Sequence, residues 1–105
     1  MPIFLLISRH SSENCPLFNE KARKVSMEYF SKLDGLLKKH GVKLLGCWNV
    51  PTEHLTFAVF EAPSFEAFQK LGMEPAVLAL SAYETYEVKS ALGMEEIAKM
   101  LRQAK

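Results

Sequence analysis

The chain has 105 residues, 49% apolar and 24% charged, and 13 Lys+Arg against 12 Asp+Glu leave a net charge of +1. That is one domain's worth of chain, residues 1–105, able to bury about 65% of its unfolded surface without disulfides or a structural metal. Ordinary apolar content excludes disorder, and the near-neutral balance leaves no electrostatic case for nucleic acid or for an anionic membrane surface.

Two cysteines, Cys15 and Cys47, make neither a disulfide framework nor a zinc-ribbon spacing. No apolar run nears the ~18 residues that span a bilayer, and Met1-Pro2 does not open a signal peptide. The expected location is the reduced cytoplasm.

Prolines and glycines punctuate the chain into elements. Residues 2–10 (PIFLLISRH) read as a strand with apolar residues on both faces. From Pro16 or Asn19 to His40, Ala22, Val25, Tyr29, Leu33, Leu36 and Leu37 recur at helical spacing, and Gly41 supplies the stop. Residues 42–50 and 55–62 are two more strands, joined by Pro51-Thr52-Glu53-His54. Ser64 is a natural N-cap for a second helix bearing Phe65, Phe68 and Leu71, and Glu74-Pro75 opens a short apolar turn through Leu80. Residues 83–89 alternate as a fourth strand, and 94–104 form a terminal amphipathic helix.

The order β-α-β-β-α-β in so short a chain predicts an α+β, ferredoxin-like sheet of spatial order 4-1-3-2, with both long helices on one face. The opposite face is also apolar. In the first strand Phe4 and Leu6 share one side while Ile3, Leu5 and Ile7 share the other; in the third, Leu55, Phe57 and Val59 oppose Ala58 and Phe60. One layer of helices covers one side only, so the economical cover for the second is another copy of the sheet, related by twofold symmetry.

The stretches Gly41–Trp48 (GVKLLGCW), Phe57–Glu61 (FAVFE), SFEAFQKL and an aromatic-Glu-Val strand leading to GMEE resemble a small prokaryotic family of the dimeric α/β-barrel superfamily, best over residues 40–97. The resemblance implies a homodimer packed sheet to sheet, with a small molecule bound beside or within the barrel. That superfamily includes small monooxygenases, haem-degrading enzymes, muconolactone-type isomerases and ligand-sensing domains. Where many relatives flank the tryptophan with a basic residue and a histidine, this chain carries Cys47 and Asn49.

The topology brings the end of the first strand, the following loop and the hairpin to one rim. His10, Cys15 and His54 there, with Glu13 or Glu53, form a donor set for Zn²⁺, Fe²⁺ or Cu. His10 or His54 is the candidate catalytic acid/base, and Cys15 beside either is a candidate nucleophile, helped by the positive end of the first helix. Cys15, Trp48, Asn49 and Tyr83, the last at the start of strand four, are the candidate small-molecule contacts. An aromatic lining of Trp48, Phe4, Phe60, Tyr83 and Tyr86 forms if all face the dimer lumen. The resemblance implies no haem, since the second helix, where several haem enzymes of that superfamily place their ligand, has no histidine; no nucleotide fingerprint is present.

The leading expectation is a homodimer that binds a small molecule or metal at the barrel rim. One alternative is a cofactor-independent monooxygenase- or isomerase-like enzyme with an apolar substrate; the other is an oligomerisation or regulatory module without a pocket.

Overall fold

The computed structural model describes residues 1–104. Its elements are β1 (Ile3–Arg9), α1 (Glu20–His40), β2 (Lys43–Val50), β3 (Leu55–Glu61), α2 (Phe65–Gly72), α3 (Pro75–Leu78), β4 (Thr85–Ala91) and α4 (Met94–Gln103). Short 3₁₀ turns cover Ser12–Asn14, Pro51–Glu53 and Ala79–Ala82. The sheet order is β2-β3-β1-β4 with every pair antiparallel, the ferredoxin-like arrangement anticipated from the element order.

Local chemistry sets the helix ends. The Asn19 side chain accepts from the Ala22 N–H at 3.0 Å to start α1. At its other end Gly41 turns left-handed at φ 65°, and the Gly41 and Val42 N–H groups return to the carbonyls of Lys38 and Leu37. This double closure satisfies carbonyls that would otherwise be orphaned. Ser64 caps α2 by accepting from the Ala67 N–H at 3.1 Å.

The fourth strand begins two residues later than the alternation predicts. The N–H groups of both Tyr83 and Glu84 bond to the Leu80 carbonyl, which holds them against the end of the 3₁₀ turn and out of the ladder.

Pleat parity divides the sheet. Phe4, Ala58 and Phe60 turn toward the helices and pack with Leu37, Phe68 and Leu71 into the core. Phe68 is the hub, its ring 5.2 Å from Phe4 and 5.1 Å from Phe60. On the other face Ile3, Leu5, Ile7, Phe57 and Val59 are half-buried, and Trp48 lies beside Phe57 with ring centroids 5.6 Å apart. A bulge between Leu44 and Gly46 bends β2 there, and the indole lies so close over Gly46 that a Cβ at that position would collide with it. The expected aromatic lining is therefore split. Phe4 and Phe60 face the helices, whereas Trp48 belongs to the open face, because the two sets differ in strand parity.

The chain is thin for its mass. Its accessible surface is 7364 Å², against about 6,000 Å² for a monomer of this size. Its radius of gyration is 15.6 Å, against about 13 Å. The open sheet face and α4 account for the shape. Met94, Met100 and Leu101 of α4 are exposed, and that helix packs extensively on none of the other elements.

One ion cluster ties the far end of α1 to the start of α3. Glu74 Oε1 accepts from Lys39 Nζ at 2.7 Å and lies 2.8 Å from His40 Nε2. The hydrogen bond from Lys39, followed by that from His40, holds the Glu74 carboxyl below its ordinary range. A depressed folded pKa contributes stability above the unfolded value of 4.5, and this is lost as pH falls through the folded value. Glu74→Gln should therefore lower the melting temperature at neutral pH and match the parent at strongly acid pH, in parallel thermal melts. Phe4→Ala should cost about 3–5 kcal/mol in urea unfolding, because it empties a stacked position at the centre of the core.

Candidate metal centre and the adjoining cavity

The β1–β3 register pairs Arg9 with Leu55, so the next residue out on β1, His10, meets the residue preceding β3, His54. The His10 N–H donates to the His54 carbonyl at 3.2 Å and locks the two backbones together. His54 ends the Pro51–Glu53 turn in the left-handed region at φ 52°, and it is the only non-glycine residue with positive φ among those described. Histidine tolerates this conformation better than most residues, though still at a cost, and such strained positions concentrate at functional sites.

Cys15 arrives from the loop after β1. Ser11 Oγ accepts from the Asn14 N–H at 3.3 Å to cap the Ser12–Asn14 turn. Asn14 Nδ2 donates to the Tyr83 carbonyl at 3.4 Å, and Asn19 Nδ2 donates to the Glu13 carbonyl at 3.0 Å. These bonds fasten the loop to both α1 and the turn before β4, and Cys15 is buried.

As a result one ligand atom each from His10, Cys15 and His54 all lie within 4.8 Å of one another. His54 Nδ1 and His10 Nε2 are 3.2 Å apart, with the rings edge to face. A tetrahedral zinc with nitrogen bonds of about 2.0–2.1 Å would set two imidazole ligands about 3.3 Å apart. Burial lowers the His10 pKa below 6.5; the charge of Glu84 opposes this and that of His54 reinforces it. A neutral imidazole keeps the lone pair that a metal needs.

The other candidates fall elsewhere. Glu13 and Glu53 are exposed and stand outside the three-residue group. Asn49 uses its amide within the hairpin, donating to the Leu55 carbonyl at 3.2 Å and to Thr56 Oγ1 at 2.7 Å. Trp48 is on the open face, and Tyr83 joins the rim through its backbone carbonyl, not as a strand residue. The helix end invoked to activate Cys15 lies beyond it, because α1 begins at Glu20 and Asn19 caps it. His40 binds Glu74 at the opposite end of α1 and has a structural role.

A cavity lies between the inner sheet face and the helices. It consists of two adjoining hollows of about 340 and 250 Å³ that share Leu6, Tyr29, Leu33, Phe60, Val77 and Tyr86. Neither histidine of the rim lines it. That separates the imidazoles from the apolar space that the enzyme alternative would give them. At the cavity's polar end, Ser8 Oγ donates to Glu84 Oε2 at 3.3 Å. Ser8 and Glu84 are functional candidates that sequence reasoning missed. The available signal was Ser8, the one polar side chain on the inner parity of an otherwise apolar strand.

Comparison with known proteins places the chain without assigning it chemistry. No curated protein matches it. The crystal structure of an uncharacterized NIPSNAP domain protein from Burkholderia xenovorans is similar, with a TM-score of 0.58 at 14% identity, over 89% of this chain and 94% of that one. At that identity the likeness is one of fold. The DUF3303 profile, described as a domain of unknown function, matches residues 4–105. With nearly its whole length accounted for by that match, the chain belongs to the DUF3303 family.

Proposed function

We propose that this protein is a small homodimeric metal-binding protein, one domain over residues 1–105, whose His10, Cys15 and His54 hold a transition metal at the rim of the sheet. The observation that carries this reading is the convergence of three ligand atoms within 4.8 Å from three separate segments. Two imidazoles and one thiolate suit Zn²⁺, Cu or Fe²⁺ and disfavour Mg²⁺ and Ca²⁺, which take oxygen ligands. Three protein ligands leave a fourth position for water or a small molecule, the pattern of a reactive site and not of a closed structural one. The reducing cytoplasm expected from the cysteine usage would keep Cys15 available as a ligand.

The homodimer is supported by the surface. The chain exposes roughly 1,400 Å² more than its mass calls for. A standard interface takes about 800 Å² from each partner. Ile3, Leu5, Ile7, Phe57, Val59 and Trp48 supply the apolar patch such an interface needs, on the face with no helix over it. Glu87 and Lys89 at 2.9 Å, with Arg9 and Glu87 at 3.5 Å, form a polar border along β4.

Elemental analysis and equilibrium dialysis of untagged protein test the metal. The expected result is one zinc per chain, with affinity falling by at least 10-fold in His10→Ala, Cys15→Ser and His54→Ala. Substoichiometric metal, or affinity unchanged in all three variants, would overturn the reading. Native mass spectrometry tests the assembly: the parent should be a dimer at micromolar concentration, and Leu5→Asp should leave a folded monomer. A strict monomer of the parent chain rejects the homodimer.

A further inference from the structure

The cavity between sheet and helices has a chemical character of its own, independent of the metal. Its larger hollow, about 340 Å³, is walled almost wholly by hydrocarbon and aromatic side chains, among them Phe65, Phe68 and Val88. This is within the ~300–1,000 Å³ range of small-molecule sites. An apolar hole of about 150 Å³ holds one benzene ring, so this one has room for two fused rings.

The smaller hollow ends in polar groups. Ser8, Thr56 and Glu84 line it together with Tyr29 and Tyr86. Ser8 is the one buried polar residue of the described chain, and its hydroxyl is committed to Glu84. A carboxylate has about four acceptor sites, and hydrogen bonds from Ser8 and from the Tyr86 phenol leave the others for a donor arriving from the cavity. Burial first, then the charges of Cys47 and Glu84, push the Tyr29 phenol up to about 12. Burial, then the charge of Glu84 and a hydrogen bond to its carboxylate, push the Tyr86 phenol far above its ordinary value. Both phenols therefore stay protonated: that of Tyr86 donates to Glu84, and that of Tyr29 is the donor left for a ligand.

The polar end thus offers a carboxylate that accepts and, in Tyr29, a phenol that donates. A ligand carboxylate would have no proton for Glu84 and would be repelled by it. An ammonium could donate to Glu84 but could accept nothing from a tyrosine. A hydroxyl does both.

We propose that the cavity binds a neutral, ring-containing alcohol or phenol, with its rings between the inner sheet face and α3 and its hydroxyl donating to Glu84. Leu6, Leu33 and Val77 grip the rings, and the Ser8 bond holds the Glu84 carboxylate in place to receive the head group. The site takes its ligand with or without metal at the rim.

The test uses the full chain, both chelator-treated and zinc-loaded, titrated calorimetrically with 2-naphthol and with its anionic counterpart 2-naphthoate. The expected result is saturable binding of one 2-naphthol per chain in both forms, with 2-naphthoate at least 10-fold weaker. Glu84→Gln should reduce that preference to within about threefold. Val77→Trp, which fills the hollow from α3, and Leu33→Phe, which fills it from α1, should each weaken 2-naphthol at least 10-fold; thermal melts identify the variant that keeps the native fold. No saturable binding of 2-naphthol overturns the proposal, as does equal affinity for the two probes in the parent chain. Unchanged affinity in a folded cavity-filled variant overturns it as well. Binding to zinc-loaded protein alone rejects the claim of an independent site and leaves the metal reading intact. Loss of metal binding without loss of 2-naphthol has the opposite meaning.

Discussion

The antiparallel register of β1 against β3 is the constraint from which the rest of the molecule follows. Pairing Phe4 with Phe60 and Leu6 with Ala58 sends these side chains to the helices, and it leaves Leu5 and Ile7 with Val59 and Phe57 on the other side. Side chains alternate with a period of two, so a slip of one residue would exchange the two faces entirely. The same register carries His10 out to meet His54 beyond the end of the ladder. Core, open face and candidate metal centre are thus three consequences of one set of hydrogen bonds.

The two faces differ in how they are stabilised. The inner face is closed by the Phe4–Phe68–Phe60 cluster and the ends of α1 and α2, a small core for a chain of this length. The outer face has comparable apolar character and no cover within the chain, and together with the outlying α4 it leaves a molecule of 56 × 31 × 17 Å that exposes more surface than its mass calls for. Trp48 lies flat there because Gly46 has no side chain to lift the indole off the bulged strand. Burial of that face by a second copy would complete the hydrophobic accounting that one chain leaves unfinished.

Chemistry gathers near one end of the sheet, but in two places. The rim group of His10, Cys15 and His54 collects soft and borderline ligand atoms, while Ser8 and Glu84 collect hydroxyl and carboxylate oxygens at the end of the apolar cavity. The link is electrostatic: the charge of Glu84 bears on His10, as it does on both cavity tyrosines.

Much of the fold was legible in the residues themselves. Helical spacing from Ala22 to Leu37, the Asn19 and Ser64 caps, the Gly41 stop and the alternation in β1 and β3 each express a local rule, so the element order and the ferredoxin-like topology follow from them. The proximity of His10, Cys15 and His54 was legible too, because the topology leaves the ends of β1 and β3 side by side. Tertiary structure decided the rest. It alone shows that the inner parity is the one carrying Phe4 and Ser8, that Trp48 and Tyr86 lie on opposite faces, and that Tyr83 is held in a turn by the Leu80 carbonyl. The cavity with Glu84 at its polar end is likewise a tertiary product. Local preferences set each element's period and ends, whereas which face meets the helices, and what space remains between them, depends on packing between residues far apart in the chain.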